Sequence, residues 1–237
     1  MQQIMDYEVK VCKREDRDYP RRFEGLRGMP ERIYYAGNIS LLNIMPGVAI
    51  IGSRKCSDET LIMAREAGRM AAEAEIAVIN GLALGCDTEA LIGTLEQGGK
   101  CIVVLPGGIN RVYPQSNEGL MQEIIERGGC VISEYAPDAE PKKFTFVERD
   151  RLQSALSKGI LVIAAGMGSG TMETVRAAGK QGRRVAAYST KIVEMEGNRH
   201  VIDKGAAEIF SMEDLQLFFK EVKEEVTYHQ MSFFDVM

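Results

Sequence analysis

Short apolar runs alternate with amphipathic segments from about residue 47 to about residue 190, and this alternation restricts the chain to few folds. Each run is almost continuously apolar, as expected of parallel strands covered on both faces. The predicted strands are 48–51, 76–79, 101–105, 130–132, 160–164 and 185–187. The predicted crossover helices, which carry apolar residues at helical spacing, are 58–75, 87–97, 116–127, 148–157 and 171–181. The pattern predicts an α/β fold with one doubly wound, mostly parallel sheet.

The remaining parts of the chain are predicted to be short additions to this sheet. Residues 1–46 are more polar and contain two X-Pro turns, so we expect a lead-in segment packed on the core. The main domain covers residues 47–210, of which residues 201–210 could add an edge strand. Residues 211–237 are expected to form a terminal amphipathic helix, with Ser211 as its N-cap, followed by a short tail.

Composition excludes several classes of protein. The chain has 237 residues, 45% of them hydrophobic and 27% charged, which is enough for one large core. It contains no apolar run long enough to span a membrane, and its charged N-terminus does not resemble a secretory signal, so a cytoplasmic location without membrane contact is expected. Five scattered cysteines and two histidines predict no disulfide framework, metal site or cofactor. A net charge of −5 requires any anion site to be local.

Glycine-rich turns follow four of the predicted strands: IIGSRKC, INGLALGCD, LPGGINRVYP and AAGMGSGTMET. In open α/β sheets, ligands bind at this edge, where helix N-termini present free N–H groups. The candidate phosphate-binding residues in these turns are Gly52, Ser53, Gly81, Gly85, Asp87, Gly107, Gly108, Ser169, Gly170 and Thr171. The alternative is that the glycines only make tight turns. Because neither a P-loop nor a complete G-x-G-x-x-G motif is present, ATPase and dehydrogenase chemistry are disfavoured.

Two basic elements could add charge to this edge. Arg54 follows directly on one glycine-rich turn, although it could instead pair with a surface carboxylate. The stretch KKFTFVERDR mixes cations with aromatic residues, as in proteins that hold single strands through phosphate contacts and base stacking. Its candidate residues are Lys143, Phe146, Arg149 and Arg151. The alternative is a solvated turn with Phe146 packed in the core.

The motifs, in order, resemble the DNA-processing protein A (DprA, also called Smf) family. The match runs from YPRRFEGLRGMPERIYYAG through VAIIGSRKCS, INGLALGCDTEA, GGKCIVVLPGGINRVYPQSN and FVERDRLQSALSKGILVIAAGMGSGTMETVRAAGKQGRRV to about residue 206. The resemblance implies an extended Rossmann-like fold, single-stranded DNA binding, presentation of DNA to a RecA-type recombinase in natural transformation, and a homodimer. It also implies that Arg54, Arg149 and Arg151 fall on the basic DNA-binding pocket. The family's phosphate-facing loops would correspond to Gly52, Gly81, Gly85 and Ser169-Gly170-Thr171.

Several positions depart from the family pattern, among them Tyr188-Ser189, which replace the family's proline-glycine after the sixth strand. Leu91 stands where the family usually has histidine, and Val147 and Asp150 stand in the element that usually reads F-P-x-R-N-R. Asp150 places an anion inside the proposed pocket, which should weaken attraction to phosphate unless Arg149 or Arg151 offsets it. We expect a divergent, shortened relative without a C-terminal winged-helix module.

The C-terminal tail contains a second motif. Gln230, Met231, Phe233 and Phe234 form a sequence similar to the short peptides that dock on the bacterial sliding clamp. The alternative is a tail that packs its phenylalanines on its own sheet.

These observations leave three functional hypotheses. The first is a DprA-type single-stranded DNA-binding protein in DNA uptake, recombination or processing, without catalysis. The second is a nucleotide-binding or nucleotide-hydrolysing relative of the phosphoribohydrolases, in which Asp87 or Glu134 could serve as an acid. That chemistry needs a glutamate where Thr174 stands, and Glu173 points about 100° away on a helix. The third is a ligand-sensing adaptor held on the sliding clamp by the tail.

Overall fold

The computed structural model describes residues 7–190 and 195–224, which form one sheet with helices on both faces. The strands are β1 Lys10–Lys13, β2 Arg32–Gly37, β3 Gly47–Ile51, β4 Ala77–Asn80, β5 Cys101–Val104, β6 Cys130–Ser133, β7 Gly159–Val162, β8 Arg184–Tyr188 and β9 Ala207–Ile209. The helices are α1 Leu41–Ile44, α2 Asp58–Glu73, α3 Cys86–Glu96, α4 Glu118–Glu126, α5 Lys143–Leu156, α6 Gly170–Lys180, α7 Glu196–Asp203 and α8 Met212–Glu224.

The sheet order is β1-β2-β6-β5-β4-β3-β7-β8-β9. Strands β3 to β9 are all parallel, which confirms the predicted doubly wound α/β fold. The chain adds β4, β5 and β6 on one side of β3 and then returns to add β7, β8 and β9 on the other. The strand order therefore reverses between β3 and β7, and this switch point is where such sheets leave a crevice for ligands.

Apolar side chains on both faces of the sheet form the core. Leu91 of α3 and Phe218 of α8 are fully buried against one face. Leu152 of α5 and Val175 of α6 are buried against the other. Burial of each such side chain contributes about 1.5–3 kcal/mol. The packed helices thus fix the turns at the strand ends.

Helices α2 and α3 approach so closely that their glycines have no room for a side chain. A Cβ on Gly68 would lie 2.1 Å from the carbonyl oxygen of Ala90, and one on Gly93 would lie 1.9 Å from that of Arg65. This backbone contact fixes α3, whose first turn carries Asp87. The helix N-terminus beside the switch point is consequently held in place by packing.

Three element predictions need correction. Residues 1–46 do not only wrap the core, because they extend the sheet by two strands: β2 pairs antiparallel with β6, and β1 pairs antiparallel with β2. The edge strand expected within 201–210 is limited to β9, since the first residues of that range end α7. Helix α5 begins at Lys143, five residues before the predicted start.

The terminal helix follows its prediction. The Ser211 hydroxyl accepts a hydrogen bond from the N–H of Asp214 at 3.2 Å, and the Asp214 carboxylate accepts one from the N–H of Ser211 at 2.8 Å. These reciprocal bonds are those of a capped helix N-terminus. Within residues 7–190 and 195–224, no helix is long and apolar enough to cross a membrane.

Candidate functional site

A cleft of about 550 Å³ lies outside the carboxyl ends of β3 and β7, at the switch point. Its walls are the turn after β3, the turn after β4, one face of α5 and the N-terminus of α6. Its lining residues are Ile51, Gly52, Ser53, Arg54, Lys55, Ala83, Asp87, Phe146, Val147, Arg149, Asp150, Gln153, Ser169, Gly170, Thr171 and Thr174. Most of the residues predicted to bind phosphate or DNA are therefore brought together in one place.

The turn after β3 carries two exposed cations of the cleft, Arg54 and Lys55. Gly52 is required there because a Cβ would lie 2.6 Å from the Sγ atom of Cys86. The Ser53 hydroxyl donates to the carbonyl of Lys55 at 2.7 Å and so closes the turn. Arg54 projects from this turn, is exposed, and has no ion pair with any residue the structure describes. Its charge is available to an anion in the cleft.

Aromatic rings lie directly beside Arg54. The guanidinium carbon of Arg54 is 5.8 Å from the ring centroid of Phe146, within the range of a cation–π contact. Tyr113 meets Phe146 edge-on, with ring centroids 5.3 Å apart and planes at 80°. Tyr113 is 46% exposed, so its ring is accessible to a ligand. A cation and two aromatic rings at the mouth of a cleft match the arrangement that binds single-stranded nucleic acids.

Arg149, which was predicted to lie in the pocket, lines the cleft with its guanidinium buried. Its side chain is 7% exposed, Nη1 donates to the carbonyl of Val104 at 2.9 Å, and Nε donates to the Asp150 carboxylate at 3.0 Å. The guanidinium fills the space where Gly81 lacks a side chain, since a Cβ there would lie 1.5 Å from Nη1. Gly81 thus accommodates Arg149, and Arg149 forms the floor of the cleft instead of an exposed contact.

Asp87 ties the turns around the cleft together. Its carboxylate is buried and accepts a hydrogen bond from the N–H of Gly81 at 3.1 Å. Burial raises the pKa of Asp87 to about 6, while the charge of Arg149 and hydrogen bonds from Gly81, Ala83 and Gly52 act in the opposite direction. Because these amides belong to the turns after β3 and β4, Asp87 orders the loops instead of facing an anion itself.

Asp150 is the second carboxylate at the floor. Its side chain is 9% exposed, and burial raises its pKa to about 6 although the neighbouring Arg149 charge lowers it. The ion pair with Arg149 offsets one of the two negative charges at the floor. With both carboxylates ionised, the two anions outnumber the single guanidinium at the floor, so the deep end of the cleft repels phosphate and the mouth attracts it.

The N-terminus of α6 forms the opposite wall. Ser169 is the N-cap in an extended conformation and makes no side-chain capping bond. Its hydroxyl oxygen is buried without a hydrogen-bond partner in the described parts of the chain. The first-turn N–H groups of a helix have no intrahelical acceptor and carry partial positive charge. The predicted Ser169-Gly170-Thr171 segment thus presents free donors to the cleft.

Several predicted residues lie outside the cleft. Gly107 and Gly108 are buried under residues 136–141, where a Cβ on Gly108 would lie 2.1 Å from the carbonyl oxygen of Pro137. Their close backbone contacts fit the tight-turn alternative, and neither glycine lines the cleft. Gly85 adopts φ +79° and contacts the turn after β3 by its backbone. Its role is also conformational.

The remaining cationic candidates point elsewhere. Arg151 pairs with Glu134 at 2.6 Å and donates to the carbonyl of Gly28 at 3.0 Å, away from the cleft. Lys143 is exposed at the start of α5 and does not line the cleft. The clamp-peptide residues Gln230, Met231, Phe233 and Phe234 lie outside the described residues. Arg151 and Lys143 are therefore not part of the site that the structure defines.

Sequence reasoning missed some lining residues. Lys55, Gln153 and Thr174 line the cleft, and Tyr113 reaches its mouth from a loop far away in sequence. A helical-spacing signal could have found both helical residues, because Gln153 lies four residues after Arg149 and Thr174 lies three residues after Thr171. No local signal marks Tyr113.

The carboxylates considered for hydrolysis are not arranged for it. Glu173 pairs with Arg176 on the outer side of α6, while Thr174 lines the cleft, as the helical spacing predicts. Glu134 is engaged by Arg151. The fold and the cleft together define a Rossmann-like protein whose cleft carries an exposed arginine beside two aromatic rings.

Comparisons with known proteins identify the family. A model of the DNA recombination-mediator protein A family matches residues 10–220, and the chain belongs to that family. The chain is 35% identical over 204 residues to the DNA processing protein DprA of Streptococcus pneumoniae. The aligned segment covers 85% of this chain and 71% of that protein. The X-ray structure of S. pneumoniae DprA superposes with a TM-score of 0.80 and 34% identity, over 94% of this chain and 76% of that one.

A second solved structure is equally similar in fold. DNA processing protein A of Helicobacter pylori matches with a TM-score of 0.82 and 27% identity, over 94% of this chain and 99% of that chain. That structure is described as giving insight into a unique single-stranded DNA-binding mode. The resemblance found in the motifs is confirmed, and so is the extended Rossmann-like fold.

Proposed function

We propose that the cleft binds single-stranded DNA and that the protein acts as a recombination mediator without catalysing a reaction. The proposal rests on Arg54, an exposed cation that forms no ion pair with residues 7–190 or 195–224 and lies over Phe146 at the mouth of the cleft. In this proposal Arg54 and the N-terminus of α6 take phosphates, and Phe146 and Tyr113 stack against bases. The single-stranded DNA-binding mode described for the H. pylori relative supports it.

The absence of catalysis is part of the proposal and rests on the state of the acidic groups. Asp87 is buried and bonded to loop amides, and Asp150 is paired with Arg149. A general acid or base must reach a proton of the substrate within hydrogen-bonding distance. Neither carboxylate is free to reach a proton of a substrate, so the geometry favours binding without catalysis.

The test is a fluorescence-anisotropy titration of a labelled oligo-dT strand at two salt concentrations. We expect Arg54→Glu to weaken binding by about tenfold or more and to flatten the salt dependence, because one phosphate contact is lost. Lys220→Glu is the matched control, since Lys220 is exposed on α8, which packs near the amino ends of the strands. Equal binding by the two variants, or no binding by the wild type, would overturn the proposal and favour a screen of mononucleotides.

Partners and location extend the proposal. The family's description as recombination mediators supports a RecA-type recombinase as partner, and we propose a cytoplasmic homodimer. Sedimentation of the chain alone and with recombinase tests both assemblies. The terminal peptide QMSFF remains a candidate ligand of the sliding clamp, and truncating Phe233 and Phe234 should abolish that binding.

A further inference from the structure

Two cysteine thiols lie side by side beneath the turn that carries Arg54. The Sγ atoms of Cys56 and Cys86 are 3.7 Å apart, which is van der Waals contact. Cys56 is half-buried, whereas Cys86 is fully buried as the first residue of α3. The two residues come from different strand-end turns, so a bond between them would link the turn after β3 to the start of α3.

The surroundings of the pair leave little free space. The N–H of Cys86 donates to the carbonyl of Ser53 at 3.2 Å. A Cβ on Gly85 would lie 2.4 Å from that same carbonyl oxygen and 2.9 Å from the Cα atom of Arg54. Because the turn and the helix start are in backbone contact, a displacement of Cys56 is transmitted to Arg54.

We propose that Cys56 and Cys86 are an oxidation site, at which a small-molecule disulfide converts the two thiols into a reversible disulfide that weakens binding of single-stranded DNA. The effect on DNA rests on the function proposed above, whereas the disulfide does not. Joining the sulfur atoms brings them from 3.7 Å to about 2 Å. The turn has to shift to allow this, and the shift moves Arg54 relative to Phe146.

The chemistry proceeds by thiol–disulfide exchange. The Cys56 thiolate attacks one sulfur of the small disulfide, forms a mixed disulfide and releases one small thiolate. The Cys86 sulfur then attacks Cys56 Sγ, its proton passes to a released thiolate, and the second small thiol leaves. The protein loses two electrons and two protons, and the small disulfide becomes two thiols.

The environments of the two thiols suit this order. Cys56 is the accessible thiol and meets the oxidant first. Burial raises the pKa of Cys86, with the adjacent Cys56 adding to the effect, so Cys86 stays protonated and unreactive until a mixed disulfide forms beside it. The buried member therefore acts as the resolving thiol.

The experiment treats the full chain with hydroxyethyl disulfide, maps peptides without reduction by mass spectrometry, and measures oligo-dT affinity before and after. We expect a Cys56–Cys86 linkage and about fivefold weaker binding, equivalent to one charge-assisted phosphate contact, with recovery in dithiothreitol. Cys56→Ser should be insensitive to the treatment, and Cys12→Ser, which removes a buried thiol elsewhere, should behave as wild type.

A peptide map without the Cys56–Cys86 linkage overturns the oxidation site, whatever the DNA result. A linkage that leaves affinity unchanged overturns the regulatory effect. If the reduced wild type does not bind oligo-dT at all, the proposed function fails, and the peptide map still decides whether the disulfide forms.

Discussion

Replacing Asp150 by asparagine should strengthen the binding of single-stranded DNA. The cleft of about 550 Å³ corresponds to a sphere roughly 10 Å across, so a phosphate between its centre and its mouth lies roughly 5–10 Å from the Asp150 carboxylate at the floor, and about 7 Å is taken as the intermediate distance. At an effective dielectric constant of about 20, two like charges at that distance repel by roughly 2.4 kcal/mol. Salt and the offsetting charge of Arg149 reduce this value, and we expect about tenfold tighter binding at low salt.

Asparagine keeps an oxygen that can accept from Arg149 Nε, so the fold should be retained. The assay is an anisotropy titration of oligo-dT at low and high salt. Glu224→Gln is the control, because it removes an exposed carboxylate at the far end of α8. Unchanged or weaker DNA affinity of Asp150→Asn, at a thermal stability equal to that of the wild type, would show that the Asp150 charge does not repel the DNA.

Three further outcomes follow from the same geometry. Phe146→Ala should weaken oligo-dT binding by about tenfold or more, because a base loses its stacking partner. Phe144→Ala should leave the affinity unchanged, because Phe144 lies on the same helix but outside the cleft. Equal effects of the two substitutions would exclude stacking on Phe146. Gly52→Ala should lower the free energy of unfolding by roughly 1–3 kcal/mol, because its Cβ would lie 2.6 Å from Cys86 Sγ. The control Gly170→Ala should not lower it, because the space around Gly170 is free. Melting temperatures of the two variants test this difference. Burial raises the pKa of the two floor carboxyls to about 6, so their stabilising contribution is full below about pH 4 and is lost as pH rises through 6. The free energy of unfolding should therefore fall between about pH 4 and pH 6.5, and DNA affinity should fall between about pH 5 and pH 7 as the floor carboxyls ionise. Calorimetry that finds no smaller fall in Asp150→Asn than in the wild type would contradict this.

The parallel sheet could be predicted because its strands are buried on both faces and therefore read as unbroken apolar runs. Strands β1 and β2 could not, because their apolar pattern is interrupted. The edge strand β1 has exposed lysines, and its neighbour β2 has exposed end residues and two half-buried tyrosines. The early start of α5 was missed for a related reason. Its first turns contain Phe144, Phe146 and Val147, which are residue types typical of strands.

The parts of the candidate site that consist of consecutive residues could be predicted from the sequence. The turn with Arg54 and the α6 N-terminus each occupy a few consecutive residues at a strand end, and both line the cleft. Whether Arg149 is exposed or buried depends on tertiary packing, since the space left by Gly81 allows its guanidinium to be buried. Tyr113 likewise reaches Phe146 only through the fold. Charge in a sequence thus indicates attraction, but not whether the charged group is exposed.

Photocrosslinking tests most directly whether DNA occupies this cleft. An oligo-dT strand carrying single 5-iododeoxyuridine substitutions would be irradiated with the full chain, and the attached peptides identified by mass spectrometry. If DNA occupies the cleft, crosslinks form at Phe146 and Tyr113 and are absent from the Arg54→Glu variant. Crosslinks confined to α7 or α8, with none at the two rings, would contradict this.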